Sequence, residues 1–157
     1  MSNVRLTTLC AALLLGFGAA ASAQHRVGEV STTFRFIGPN DKIVVERYDD
    51  PKVENVSCYL SRADTGGLSG AVGLAEDPAR FSIACRATGR PKVVKDIDRS
   101  RDGEIVFDQR ASALFKELRV TRFFDEQKRM LIYLVWSTRV LSTDGSPFNS
   151  VTAVPLD

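Results

Sequence analysis

The sequence predicts a mostly β fold, an antiparallel sandwich or small barrel with one or two short helical turns packed at its side. Three observations predict it. Apolar and polar residues alternate with period two in several short runs, and clusters of Gly, Pro, Asn and Asp separate those runs. Cys58 and Cys85 each fall in phase with the apolar residues of their own run, so both sulfurs point to one buried side.

The chain opens on a different pattern. Arg5 precedes an apolar run over residues 9–20, and Ala21-Ser22-Ala23 supplies the small residues that a signal peptidase reads. A transmembrane anchor is the competing reading, but about 12 apolar residues rise only about 18 Å as a helix, short of the roughly 30 Å hydrocarbon core. Cys10 stands at the start of the run rather than directly after it, which argues against a lipoprotein anchor. A signal peptide over 1–23 therefore leaves one β-rich domain over 24–157 with no membrane anchor. That domain keeps 20 Lys and Arg against 19 Asp and Glu, a formal charge of +1. So even a balance gives no electrostatic pull toward nucleic acid or a membrane.

Val30, Thr32, Phe34 and Phe36 alternate with Ser31, Thr33 and Arg35, which predicts a strand with one buried face. Gly38-Pro39-Asn40-Asp41 turns the chain, residues 43–48 return it, and Asp49-Asp50-Pro51 ends the hairpin. Val56, Cys58 and Leu60 share one face of a third strand; Phe81, Ile83 and Cys85 share one face of a fourth. With the leader removed, these two cysteines form an even pair in an oxidising compartment, the usual setting of a bridge. Closing a loop of about 28 residues contributes roughly 3 to 4 kcal/mol in the chain-entropy account. A redox-active pair is the alternative, yet it favours a Cys-x-x-Cys spacing and a neighbour that lowers the thiol pKa, and neither is present.

A fifth run, Ile105-Val106-Phe107, follows the Asp102-Gly103 turn signal, and residues 118–124 are rich in β-formers. Residues 125–129 are a polar connection. Residues 130–136 are apolar on both faces, as a central strand is, although a buried helix has the same pattern. Residues 142–147 read as a loop and 151–154 as a last strand. Short helical turns are expected at 70–76 and 111–116.

Few residues offer chemistry. His25 is the only histidine and lies near the exported terminus, where frayed backbone is the rule, so triads and zinc sites lack their usual imidazole. Gly67, Gly70 and Gly73 recur every third residue in a loop that can offer amides to an anion, but Glu76 and Asp77 follow where a phosphate loop has Lys and Ser or Thr. A flexible connection is the plainer reading. Asp41, Glu46, Asp49, Asp50 and Glu54 could supply oxygens to calcium, yet their spacing fits no known loop and Lys42, Arg47 and Lys52 are interleaved, as in a solvated rim. Arg99, Arg101, Arg119, Arg122, Lys128, Arg129 and Arg139 could form a basic stripe, but acids lie beside them. Trp136 is expected in the core, with Tyr133 on the opposite face of its strand.

The segments Phe36-Ile37-Gly38-Pro39-Asn40-Asp41-Lys42-Ile43-Val44-Val45-Glu46, Asp49-Asp50-Pro51, Asn55-Val56-Ser57-Cys58-Tyr59-Leu60-Ser61-Arg62-Ala63, Thr65-Gly66-Gly67 and Gly73-Leu74-Ala75-Glu76-Asp77 resemble the CreA family of exported bacterial proteins. The likeness continues through Gly103-Glu104-Ile105-Val106-Phe107, residues 115–123 and Ser150-Val151-Thr152-Ala153-Val154-Pro155. It implies a periplasmic location and the same cysteine pair, and it carries no catalytic residue over to this chain.

The resulting expectation is a non-enzymatic binding or interaction module of the envelope, without cofactor or metal, whose partner is an envelope protein or small ligand. Its contact surfaces would be the loop with Thr65, Gly66, Gly67, Ser69, Gly70, Gly73, Glu76 and Asp77, and the flanking turn with Asp49, Asp50 and Asn55. The alternative is a carboxylate-dependent hydrolase of envelope glycans or peptidoglycan, which requires two acids in a cleft, one with a raised pKa. A passive structural factor is a third reading.

Overall fold

The computed structural model describes residues 24–64, 81–110, 117–138 and 148–156. Among these residues lie eight strands: β1 (His25–Ser31), β2 (Lys42–Asp49), β3 (Val53–Asp64), β4 (Phe81–Val93), β5 (Glu104–Arg110), β6 (Glu117–Asp125), β7 (Met130–Thr138) and β8 (Asn149–Pro155). They form two antiparallel sheets, in the orders β1-β2-β3-β4 and β5-β6-β7-β8. Each strand pairs with its sequence neighbour, the simplest solution for short runs joined by turns. No ladder joins the sheets among the described residues, so the architecture is a sandwich and the barrel alternative falls.

The core fills the space between the sheets. Val56, Cys58, Leu60, Ile83 and Cys85 come from one side; Leu118, Val120, Leu131, Tyr133 and Val135 come from the other. Burying each Val or Leu side chain contributes about 1.5 to 3 kcal/mol. Tyr48 and Phe107 stack across the gap with ring centroids 4.7 Å apart. The sheets also meet at β4 and β8, where the Cys85 amide donates to Thr152 Oγ1 at 3.3 Å.

Turn chemistry sets the strand ends. Gly103 has φ +67°, and a Cβ there would lie 2.7 Å from the Phe123 ring, so only glycine fits ahead of β5. Asn55 takes φ 62° at a bulge in β3, a conformation Asn tolerates, and its Nδ2 donates to Arg90 O at 2.9 Å.

The strand expected over 30–36 is displaced. β1 ends at Ser31, and Phe34 and Phe36 stand in the connection that follows it, exposed rather than buried. Alternation marks a buried face only where another layer covers it, and β1 is an edge strand whose seven residues are all exposed. His25, expected to fray, pairs with Arg47 in this strand. Trp136 also departs from expectation. It is half-buried on the outer face of β7, while Tyr133 faces the core. The helical turns expected at 70–76 and 111–116 lie outside the described residues.

Candidate functional site

Cys58 and Cys85 are bonded to one another and sit directly opposite on β3 and β4, with their Cα atoms 3.9 Å apart and a sequence separation of 27. Such close approach belongs to the non-hydrogen-bonded positions of an antiparallel pair, and the Cys85 amide is accordingly turned toward Thr152. Both residues are buried in the core, so the bridge serves the scaffold.

A densely bonded polar group is Asp50, between β2 and β3. Its Oδ1 accepts from the amides of Lys52 at 2.8 Å and Val53 at 3.0 Å, the turn that an Asp ahead of Pro51 favours. Both of its oxygens accept from Arg122 Nη1 on β6, at 2.5 and 2.6 Å, and Oδ2 accepts from the Tyr133 hydroxyl on β7 at 2.7 Å. The side chains of Arg122 and Asp50 are 1% and 0% exposed. Arg122 Nη2 continues to Glu104 Oε2 at 2.6 Å, and Glu104 Oε1 meets Lys52 Nζ at 2.5 Å. A chain of alternating charge thus runs from the core to the surface and ties one sheet to the other.

Two phenols and one carboxylate titrate in keeping with this arrangement. Burial, and then the Asp50 charge, pushes the Tyr48 and Tyr133 phenols far up, so both stay neutral. For Glu104, burial raises the pKa, but the Lys52 hydrogen bond and the Arg122 and Lys52 charges outweigh it and hold the carboxyl below its ordinary range. Asp98 is lowered mainly by the Ser100 amide, 2.7 Å away. Lys52, Asp96, Ile97, Asp98, Arg99 and Glu104 line an open cavity of about 580 Å³ at the outer end of the chain.

This chemistry gives the hydrolase reading no support. Among the described residues, the carboxylates displaced from their ordinary range, Glu104 and Asp98, move down, whereas a general acid must move up. Asp50 has its oxygens taken by four donor groups and is closed to solvent. Among the described residues no three of His, Cys, Asp or Glu converge where they could hold a metal ion.

The connection from β1 to β2 leaves large apolar side chains in water. Some of its polar groups bond one another across the loop: the Thr32 amide donates to Asp41 O at 2.8 Å, the Arg35 amide to Asn40 Oδ1 at 2.8 Å, and the Asp41 amide to Thr33 Oγ1 at 3.0 Å. Arg35 Nη2 clasps both Asp41 oxygens, at 2.9 and 2.8 Å. The apolar side chains turn outward. Phe34, Phe36 and Ile37 are 77%, 94% and 81% exposed, and the two rings meet edge to face at 5.2 Å. Val30 and Ile43, opposite one another at the base, are also exposed. On the other sheet, Trp136 Nε1 donates to Thr121 Oγ1 at 3.0 Å beneath the Arg119 guanidinium, 5.6 Å from the ring.

The expected contact residues divide. Thr65, Gly66, Gly67, Ser69, Gly70, Gly73, Glu76 and Asp77 lie outside the described residues. Asp49 and Asn55 are exposed, with Asp49 Oδ1 accepting from Ser57 Oγ at 2.5 Å, while Asp50 faces inward. The solvated rim is corrected at Asp50 and at Glu46, which is buried and paired with Arg62 Nε at 3.1 Å. The basic stripe is corrected at Arg122. Its burial had a signal in the sequence, since Arg122 shares the period-two phase of Leu118 and Val120 and so needs a buried acid. The exposed tip at Phe34, Phe36 and Ile37 had none, because alternation alone reads as a half-buried strand.

Comparison with known proteins gives a consistent result. The family described as CreA protein matches residues 27–157. The chain is 45% identical over 144 residues to Protein CreA of Escherichia coli (strain K12), covering 91% of this chain and 90% of that protein. Protein CreA of Escherichia coli O157:H7 shows the same identity and coverage. No solved structure matches. With a family match over nearly all the described strands and relatives similar along almost their whole length, the chain belongs to the CreA family.

Proposed function

We propose that the chain is a non-enzymatic binding module of the bacterial envelope, exported to the periplasm, which docks through the tip formed by residues 32–41. The observation that carries this reading is the outward placement of Phe34, Phe36 and Ile37 on a loop whose own hydrogen bonds hold it in shape. Leaving three large apolar side chains in water forgoes about 1.5 to 3 kcal/mol each, a penalty that burial against a partner removes. Preorganisation adds to the case, because a loop already fixed loses little conformational entropy on docking. The secretory layout of residues 1–23 and the Cys58–Cys85 bridge support the location.

Site-specific photo-crosslinking in cells tests the docking surface. A photoreactive residue at position 36 is expected to form an adduct, whereas one at the exposed Thr88 on β4 is not. No adduct from position 36, or equal adducts from both, removes the reading.

A further inference from the structure

We infer that the open edge of β1 pairs antiparallel with the same edge of a second copy of this chain, joining two four-stranded sheets into one around a two-fold axis. This surface is separate from the 32–41 tip. All seven residues of β1 are exposed, and the strand ends its sheet with nothing beyond it among the described residues. The opposite edge of that sheet is differently placed: β4 meets β8, and the Cys85 amide donates across to Thr152 Oγ1 at 3.3 Å. The Thr32 amide donates to Asp41 O, so Val30 and Gly28, two and four positions earlier, direct their backbone groups to β2, while Glu29 and Ser31 direct theirs outward. An unpaired row of this kind is a template for adding a strand.

The charges on this edge select a second copy as its partner. Regular alternation would put Arg26 and Glu29, three positions apart in sequence, on opposite faces. The bulge between Arg26 and Gly28 removes that offset. Arg26 pairs with Glu46 and Glu29 with Val44, which are in the same phase of β2, so the two side chains share one face and the two backbones share the outer edge. They already meet there, Nη1 to Oε2, at 2.9 Å. An antiparallel self-pair with its axis between Val27 and Gly28 sets Arg26 of each copy opposite Glu29 of the other, and the four charges alternate in sign around a square. Asp64 at 3.6 Å from Arg26 and Lys42 at 3.3 Å from Glu29 keep each copy's share of the edge neutral, so no net repulsion opposes the approach. Centring the pair on Glu29 would oppose two carboxylates, and centring it on Arg26 would oppose two guanidinium groups; a parallel in-register stack would do both. Bulges and charged side chains on an edge ordinarily keep other strands away. Here the same devices reject the other registers and admit this one, which uses the edge in both copies and so stops at two.

Sedimentation equilibrium of the protein as recovered from cells, over a series of concentrations, tests this. A monomer–dimer equilibrium is expected. Glu29→Arg sets arginine opposite arginine across the axis, and Arg26→Glu sets glutamate opposite glutamate, so each variant alone is expected to dimerise at least about tenfold more weakly. An equimolar mixture of the two variants restores opposite charges at both positions and is expected to associate about as tightly as wild type. Should either single variant fail to fold, Arg26→Glu combined with Glu29→Arg keeps the alternation and is expected to dimerise like wild type. Wild type that stays monomeric throughout, a dimer that both single variants retain, or a mixture no tighter than its components overturns the inference. A monomeric wild type whose photoreactive residue at position 27 forms adducts with another protein in cells also overturns it, and gives the edge to a foreign strand.

Discussion

The brace at Asp50 and the tip at Phe36 depart from ordinary sidedness in opposite directions: one takes charges into the core, the other puts aromatic rings into water. The brace tolerates its charges because every partner is fixed. Arg122 and Tyr133 come from strands of the opposite sheet, and two backbone amides come from the turn itself. The tip instead relies on local bonds alone, between residues no more than nine positions apart. The first contributes to holding the sandwich together, and the second is nearly independent of it. A buried ion pair is costly to break even where it adds little over an apolar pair, while an exposed ring is cheap to remove.

Breaking the brace is the largest expected effect. Arg122→Met leaves Asp50 buried without its cation, and urea unfolding should show a loss of about 3–5 kcal/mol. Adding Asp50→Asn should recover part of that loss, because the residual carboxylate charge is what the single change leaves stranded.

A smaller effect lies at the outer end of the same chain of charges. Glu104 is partly exposed, so its pairing with Lys52 and Arg122 is screened, and Glu104→Gln should cost under about 1 kcal/mol at neutral pH. The folded carboxyl is held below its ordinary value of 4.5, so it binds protons less readily than the unfolded one. Its contribution is therefore present in full above that value and is lost as pH falls through the lower folded pKa. Stability measured against pH should fall less steeply in the Gln variant over that acidic window. Matching slopes would show that Glu104 is a bystander.

The smallest effect sharpens the contrast. Replacing Phe34, Phe36 and Ile37 by Ser should change unfolding stability by no more than about 0.5 kcal/mol, read in the same urea titration. A loss comparable with that of Arg122→Met would mean that the tip supports the fold.

Much of the sandwich was legible because its signals are local. The alternation of Val56, Cys58 and Leu60, the matching phase of Cys85, and the Gly103 turn each act within a few residues. The brace was only half legible. Arg122 lies in a core phase, but nothing nearby in sequence identifies Asp50, 72 positions away, as its partner. The tip departs from its alternation for a different reason. Thr32 and Phe34 continue the alternation of Val30, yet Thr33, Asn40 and Asp41 offer hydrogen bonds that close the loop earlier. Competition between a weak edge strand and strong turn chemistry is settled by the absence of a second layer, and no sequence pattern reports that absence.

Because Cys58 and Cys85 face each other across a single rung, the covalent link fixes the alignment of β3 and β4 independently of the segment between them. The rungs on either side, Ser57 with Arg86 and Tyr59 with Ala84, are thereby held in register by a bond that neither heat nor denaturant breaks, so the two strands stay aligned even when the sheet around them opens.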